Sequence, residues 1–418
     1  MTHFQSAVGD LSVDANLLSP TTARTAESVA SSRTVVAVAS ALLVGGAVAL
    51  AQAYSWRQGA LLLLGGALGL VLYHALFGFT SAWRVFIADR RLRAQMVMLA
   101  VAAILFFPAL SHGSLFGQVV HGEYGAVGVS VMVGAFLFGI GMQLGGGCAS
   151  GTLYTVGGGN TRMLVTLAAF IAGSTVGALQ LPWWSAQPNF GAVSLIDKFG
   201  WLPALGLSLV LFAGIAAVTV WAEKRRHGRL VGGAQTQRRG FERFLHGPWP
   251  LVAGAVALAI GNFATLYLAG RPWGVTSAFA LWGSKIVALT GVDVASWAYW
   301  QVPARAQALR ESVFADITSV MDFGVVLGAM MAAGLAGKFS PTWSAPARSL
   351  VAAIIGGLLL GYGARLAYGC NIGAYFSGIS SASLHGWVWL AAAFAGSILG
   401  TRLRPLFGLS VERTKAEA

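Results

Sequence analysis

Residues 137–154 read LFGIGMQLGGGCASGTLY, and residues 359–376 read LLGYGARLAYGCNIGAYF. They align without a gap at an offset of 222 residues and share the frame L-x-G-x-G-x-x-L-x-x-G-C-x-x-G-x-x-aromatic. Upstream, FGFTSAW at 77–83 matches WGVTSAF at 273–279 at an offset of 196; downstream, AGS recurs at 172–174 and 395–397. The offsets differ because the second half carries a longer loop, between about 290 and 322. A duplicated unit of this kind fixes the architecture before any single residue is interpreted.

The sequence around these motifs is apolar. Of 418 residues, 56% are hydrophobic, 10% are charged and 55 are glycine, and the mean hydropathy is +0.71. A soluble domain carries about 25% charge, so an ordinary soluble enzyme, a disordered chain and a disulfide scaffold are excluded. Long continuous apolar runs also exclude an outer-membrane barrel, whose strands alternate. Ten stretches can cross about 30 Å of hydrocarbon: 34–54, 59–78, 94–110, 125–145, 163–183, 200–222, 249–270, 323–339, 347–367 and 385–403. The fold class is therefore all-α, a polytopic helical membrane protein.

The formal charge of +13 would suggest nucleic acid in a soluble protein. Here Lys and Arg lie in the loops and report topology. With the N-terminus inside, 20 of the 27 fall on the inner side, 6 on the outer side, and Arg365 lies within a span. Both termini are thus expected in the cytoplasm, with the lipid bilayer and not nucleic acid as the surrounding partner. Five spans per half is an odd number, so the halves insert in opposite senses and form a pathway where they meet. The expected division is a flexible tail at 1–33, a first membrane repeat at 34–185, a connecting span at 186–222, a basic cytoplasmic loop at 223–247, a second repeat at 248–405 and a tail at 406–418.

The chemistry is expected where the helices break. Each glycine weakens a helix interior by about 1 kcal/mol against alanine, and GGGCASG and YGCNIG gather several. The plainer reading of such runs is close helix packing, but both cysteines of the chain, Cys148 and Cys370, fall at equivalent places in the repeat. Irregular backbone at membrane depth survives when buried in protein or lining a cavity. After each break TLYTV and AYFSG can start a short re-entrant half-helix, whose N-terminal N–H groups favour an anion without any fixed charge. A thiol there adds a weak donor and a polarizable sulfur, which suits a small sulfur-containing anion. Gly147, Gly151, Gly369 and Gly373 frame these turns. Thr80, Ser81, Thr276 and Ser277 of the two T-S-A segments are vestibule candidates, although such hydroxyls also bond back to their own helices. Lys285 lies near the second copy, and Arg365, aligned with Gln143, either attracts anions or snorkels to the interface. The spans carry no acidic residue, and Asp293, Glu311, Asp316 and Asp322 are placed in the long loop. Two cysteines without a C-x-x-C pair or a histidine cluster do not make a zinc site, and no cofactor is expected. A Cys–His or Cys–Asp spacing that would signal an enzyme is lacking; a sulfurtransferase using a cysteine persulfide is the minor alternative, and a purely structural subunit a third.

At GGGCASGTLYTVGGGN (145–160), GRPWGVTSAFALWGSK (270–285) and YGCNIGAYFSGI (368–379) the chain resembles the YeeE/YedE sulfur-transport family. With the span pattern, the resemblance covers roughly residues 55–405. It implies a multi-pass protein of the bacterial inner membrane that imports a small sulfur compound, with thiosulfate the best-established substrate. It also implies an hourglass of two funnels, in which Cys148 and Cys370 form the central pair and pass the anion through S–H hydrogen bonds. A small cytoplasmic sulfur-carrier protein is implied as a partner. Thiosulfate-importing members carry a further cysteine in the first T-S-A segment; Gly78 takes its place here, which leaves a selenium or other sulfur species open as substrate.

Overall fold

The computed structural model describes residues 26–80, 83–84, 93–227, 240–341 and 345–411. Ser81, the tails at 1–25 and 412–418 and part of the basic loop, 228–239, lie outside the described residues. The helices are α1 (Ala26–Ala53), α2 (Trp56–His74), α3 (Arg93–His112), α4 (Val129–Gly145), α5 (Ala149–Gly157), α6 (Thr161–Ser185), α7 (Trp201–His227), α8 (Leu251–Ala269), α9 (Thr276–Ala288), α10 (Ile317–Leu335), α11 (Ala347–Leu366) and α12 (Leu384–Leu403). Among the described residues, ten helical stretches are long and apolar enough to cross a membrane, α4 running on into α5 as one of them. Each expected span lies on one of these ten. The polytopic helical fold class therefore stands.

One boundary needs correcting. The eighth span begins at Ile317 rather than 323, because Asp316 caps it and accepts hydrogen bonds from the Ser319 amide at 2.8 Å and the Ser319 hydroxyl at 2.7 Å. Asp322 is therefore not a loop residue. It stands in the second turn of α10, fully buried, so a carboxyl does lie within a span.

The packing partners of one half reappear, exchanged, in the other. Helix α2 packs on α10, and α8 packs on α3; α6 packs on α11, and α12 on α4; α1 packs on α10, and α7 on α3. The equivalent helices α2 and α8 pack on each other, as do α4 and α11. Helices α1 and α7 are the least buried spans and lie at the periphery. Close approach depends on missing side chains. A Cβ on Gly328 of α10 would run into the carbonyl of Gly66 on α2, and one on Gly396 of α12 into the carbonyl of Phe136 on α4.

Gly328→Ala is expected to destabilise the protein by about 1–3 kcal/mol, the usual cost of overpacking, seen as a lower unfolding midpoint in detergent. Gly45→Ala, where an added Cβ meets nothing within 4 Å, should leave the midpoint unchanged or raised; equal behaviour of the two variants would contradict this packing.

Candidate functional site

The first break is built by α4 stopping at Gly145. Gly146 takes the left-handed conformation, φ +91°, which glycine adopts without steric cost. Cys148 then becomes the N-cap of α5 in extended conformation, a place usually held by Ser, Thr, Asp or Asn. Its Sγ accepts from the Gly151 amide at 3.4 Å and lies 3.4 Å from the Ser150 hydroxyl. Its carbonyl accepts from the Thr152 amide at 2.7 Å and the Thr152 hydroxyl at 2.8 Å.

The second break follows the same plan with a different helix. Tyr368 sits at φ +63° and Gly369 at +152°, and Cys370 caps a π-helix, Asn371–Ser377, where a short α-helix was expected. Its Sγ accepts from the Ile372 amide at 3.4 Å, and its carbonyl takes both the Ala374 amide at 2.9 Å and the Tyr375 amide at 3.3 Å. Helix α5 and the π-helix pack against each other, and the two thiols are near enough to interact electrostatically. Both are free and buried, with 1% and 0% of their surface exposed, so the arrangement is an occluded one. Gly373 turns its open side to Gly274, whose Cα would lie 4.0 Å from an added Cβ.

The motif pairs found by self-comparison meet within each half. Gln143 Nε2 donates to the Thr80 carbonyl at 3.5 Å. Its counterpart Arg365 donates to Thr276 Oγ1 at 3.2 Å and to the Tyr299 hydroxyl at 2.6 Å. Ser277 bonds to Thr318 at 2.9 Å. Thr80 is buried and its hydroxyl has no partner. Lys285 is turned the other way: its ammonium donates to the Leu309 carbonyl at 2.7 Å and the Glu311 carbonyl at 2.6 Å, which ties the long loop to α9. In the loop between α3 and α4, burial pushes the Glu123 carboxyl up from its ordinary range while Arg271 and Arg365 pull it back, so opposite charges gather at this end.

The halves are stitched together by aromatic rings. Tyr375 of the π-helix stacks on Trp389 with centroids 6.2 Å apart and meets the edges of Phe79 at 6.2 Å and Trp83 at 6.0 Å. Trp83 and Tyr375 both donate to Gln95 Oε1, at 3.1 and 3.4 Å. Sequence reasoning passed over Asn371, next to Cys370, whose amide nitrogen and oxygen are buried without partners; the available signal was that its counterpart is Ala149, so a polar group appears in one copy only.

Fold and site together define a polytopic helical membrane protein with two buried thiols capping interrupted helices. The chain belongs to the sulphur transport family, which it matches over residues 74–399, somewhat inside the range of about 55–405 expected from the motifs. It is 35% identical over 165 residues to the probable transporter YedE of Escherichia coli (strain K12), a match that takes in 38% of this chain and spans only 40% of that protein's length. It is 28% identical over 352 residues to the thiosulfate transporter TsuA of Spirochaeta thermophila, covering 78% of this chain and 93% of that one. Against TsuA of Escherichia coli (strain K12) it is 26% identical over 356 residues, with 80% and 91% covered.

In the resting protein Cys148 and Cys370 should react slowly with a membrane-permeant maleimide and both react after denaturation, as counted by mass spectrometry. Rapid labelling of either thiol before denaturation would contradict the occluded arrangement.

Proposed function

We propose that this protein is a permease for a small sulfur-containing anion, with thiosulfate the first candidate, and that the anion passes between Cys148 and Cys370. The observation that carries the reading is the placement of both thiols, at equivalent repeat positions, as caps of interrupted helices that pack on each other. The name of the TsuA relatives supports the same class of cargo, and that of YedE supports a transporter. An anion entering here would meet the amides at the start of α5 and the spare Asn371 amide. Polarizable S–H groups would take its sulfur end. Neutral donors bind a charged group more weakly than a fixed cation would, which suits passage rather than capture.

The exchanged packing pairs fit two halves of opposite sense, with the thiols near the bilayer midplane, Thr80, Ser81, Thr276 and Ser277 along the funnels and Arg365 near one mouth. The reading includes an inner-membrane location with both termini cytoplasmic, as the Lys and Arg distribution favours, and repeats at 34–185 and 248–405 joined by the connecting span 186–222 and the basic loop 223–247. A cytoplasmic sulfur-carrier protein would receive the cargo; the 223–247 segment is a docking candidate, though its basic residues also serve as a positive-inside anchor.

Cys148→Ala and Cys370→Ala should each lower uptake of radiolabelled thiosulfate about tenfold or more, since a hydrogen bond to a charged group contributes about 1.5–3 kcal/mol, while membrane levels stay normal. Normal uptake by both variants would sink the proposal. A cysteine persulfide that forms and turns over with substrate would favour a sulfurtransferase instead, and a preference for a selenium oxyanion in the same assay would reassign the cargo.

A further inference from the structure

Asp322 takes no part in the arrangement described above. It is 0% exposed, and neither carboxyl oxygen has a hydrogen-bond partner. On α10 it shares a stripe with Val326 and Ala329, at i+4 and i+7, and these are the residues that Gly157 of α5 packs against. That stripe therefore faces the short helix that begins at Cys148. Asp322 also acts electrostatically on Cys370. One turn back on the same face, Thr318 accepts hydrogen bonds from Arg271 and from Ser277, both at 2.9 Å, which leaves its own hydroxyl proton for a neighbour. Beyond Thr318 a cavity of about 260 Å³ is lined by Arg271, Gln307, Glu311, Asp316 and Ile317. Arg271 thus joins the cavity to Thr318, one helical turn from a buried carboxyl on the face of α10 that meets the helix beginning at Cys148.

Among the described residues no cation bonds to the Asp322 carboxyl: Arg271, the positive group one turn back, is taken up by Thr318. Asp316, on its own helix, is like-charged. Helix α5 brings Cys148 and Tyr154, and α9 brings Lys285, already held by two carbonyls. On α2 the titratable residues Arg57, Tyr73 and His74 sit at the ends, while Leu62, Gly65 and Gly69 pack against α10 around Asp322. Arg33 of α1 is exposed, and the helix Gly240–His246 carries Glu242, Arg243 and His246. None of them donates to the Asp322 carboxyl. An ionised carboxylate so placed would be desolvated and unpaired, a costly state, whereas the protonated acid is tolerated.

We propose that Asp322 is the proton-coupling group of transport, so that each turnover carries a proton along with the anion. The inference rests on the permease reading. A hydronium ion in the cavity water gives a proton to the carboxylate, forming the acid O–H and leaving a water molecule. In that state the negative charge facing the helix that begins at Cys148 is gone and an anion can pass. Release of the proton to water on the other side restores the carboxylate, and no electrons move.

The test uses the full chain in liposomes. Wild-type uptake of radiolabelled thiosulfate should rise several-fold when the entry side is made acid, and lose that gain with a protonophore. Asp322→Asn should exchange thiosulfate across the membrane yet ignore the gradient, and Asp322→Glu should recover a response. A wild type indifferent to the gradient, or an Asp322→Asn variant that still responds, overturns the proposal. A wild type that carries no thiosulfate contradicts the permease reading itself, and a second measurement then decides the proton claim alone. The infrared spectrum at neutral pH should contain a protonated-carboxyl band that shifts in D2O and is missing in Asp322→Asn. Its absence from the wild type overturns the proposal whatever the uptake.

Discussion

Hydrocarbon cannot accept or donate hydrogen bonds, so a chain in a membrane must satisfy its backbone from within. Most features of this protein follow from how it meets that demand while interrupting two of its helices. Each interruption leaves N–H groups at the head of a short helix, and each is capped by a cysteine sulfur, at Gly151 N and at Ile372 N. The surrounding helices must close over the breaks. Glycine allows it, bringing α4 against α11 and α12, and α2 against α10. The same thiols that satisfy the backbone are then the most polarizable groups at the meeting point of the halves.

The two copies are alike in plan and unlike in chemistry. Gln143 and Arg365 occupy one position of the repeat and both reach the T-S-A segment of their own half. Only the second carries charge, and its guanidinium donates to a tyrosine hydroxyl and a threonine hydroxyl. Ala149 and Asn371 differ in the same direction. The second half therefore holds more of the groups that can attract or orient an anion, while the first holds a conventional α-helical start. Between them the rings of Trp83, Tyr375 and Trp389 fill the core.

Much of this was legible in the residues. The ten spans follow from length and apolarity, and the pairing of motifs follows from self-comparison, because a repeated frame identifies equivalent positions without any knowledge of depth. What escaped reading were features decided by three-dimensional surroundings. Asp322 looked like a loop residue because the span was started at the apolar run from Phe323; the Asp316–Ser319 cap that begins the helix six residues earlier is a short-range signal that was overlooked. The π-helix after Cys370 packs against α12, and its sequence, NIGAYFS, carries no mark of the π conformation. Lys285 lies close in sequence to the T-S-A segment, yet its ammonium goes to the long loop, since the nine residues from Thr276 carry it about halfway round the helix from that hydroxyl.

The most direct measurement is a crystal structure grown with selenosulfate, in which anomalous scattering locates the selenium. The account predicts a peak between the N-terminal turns at Cys148 and Cys370. A peak lodged elsewhere, for instance in the cavity beside Tyr299 and Arg305, with the two thiols still sealed and untouched, would contradict it.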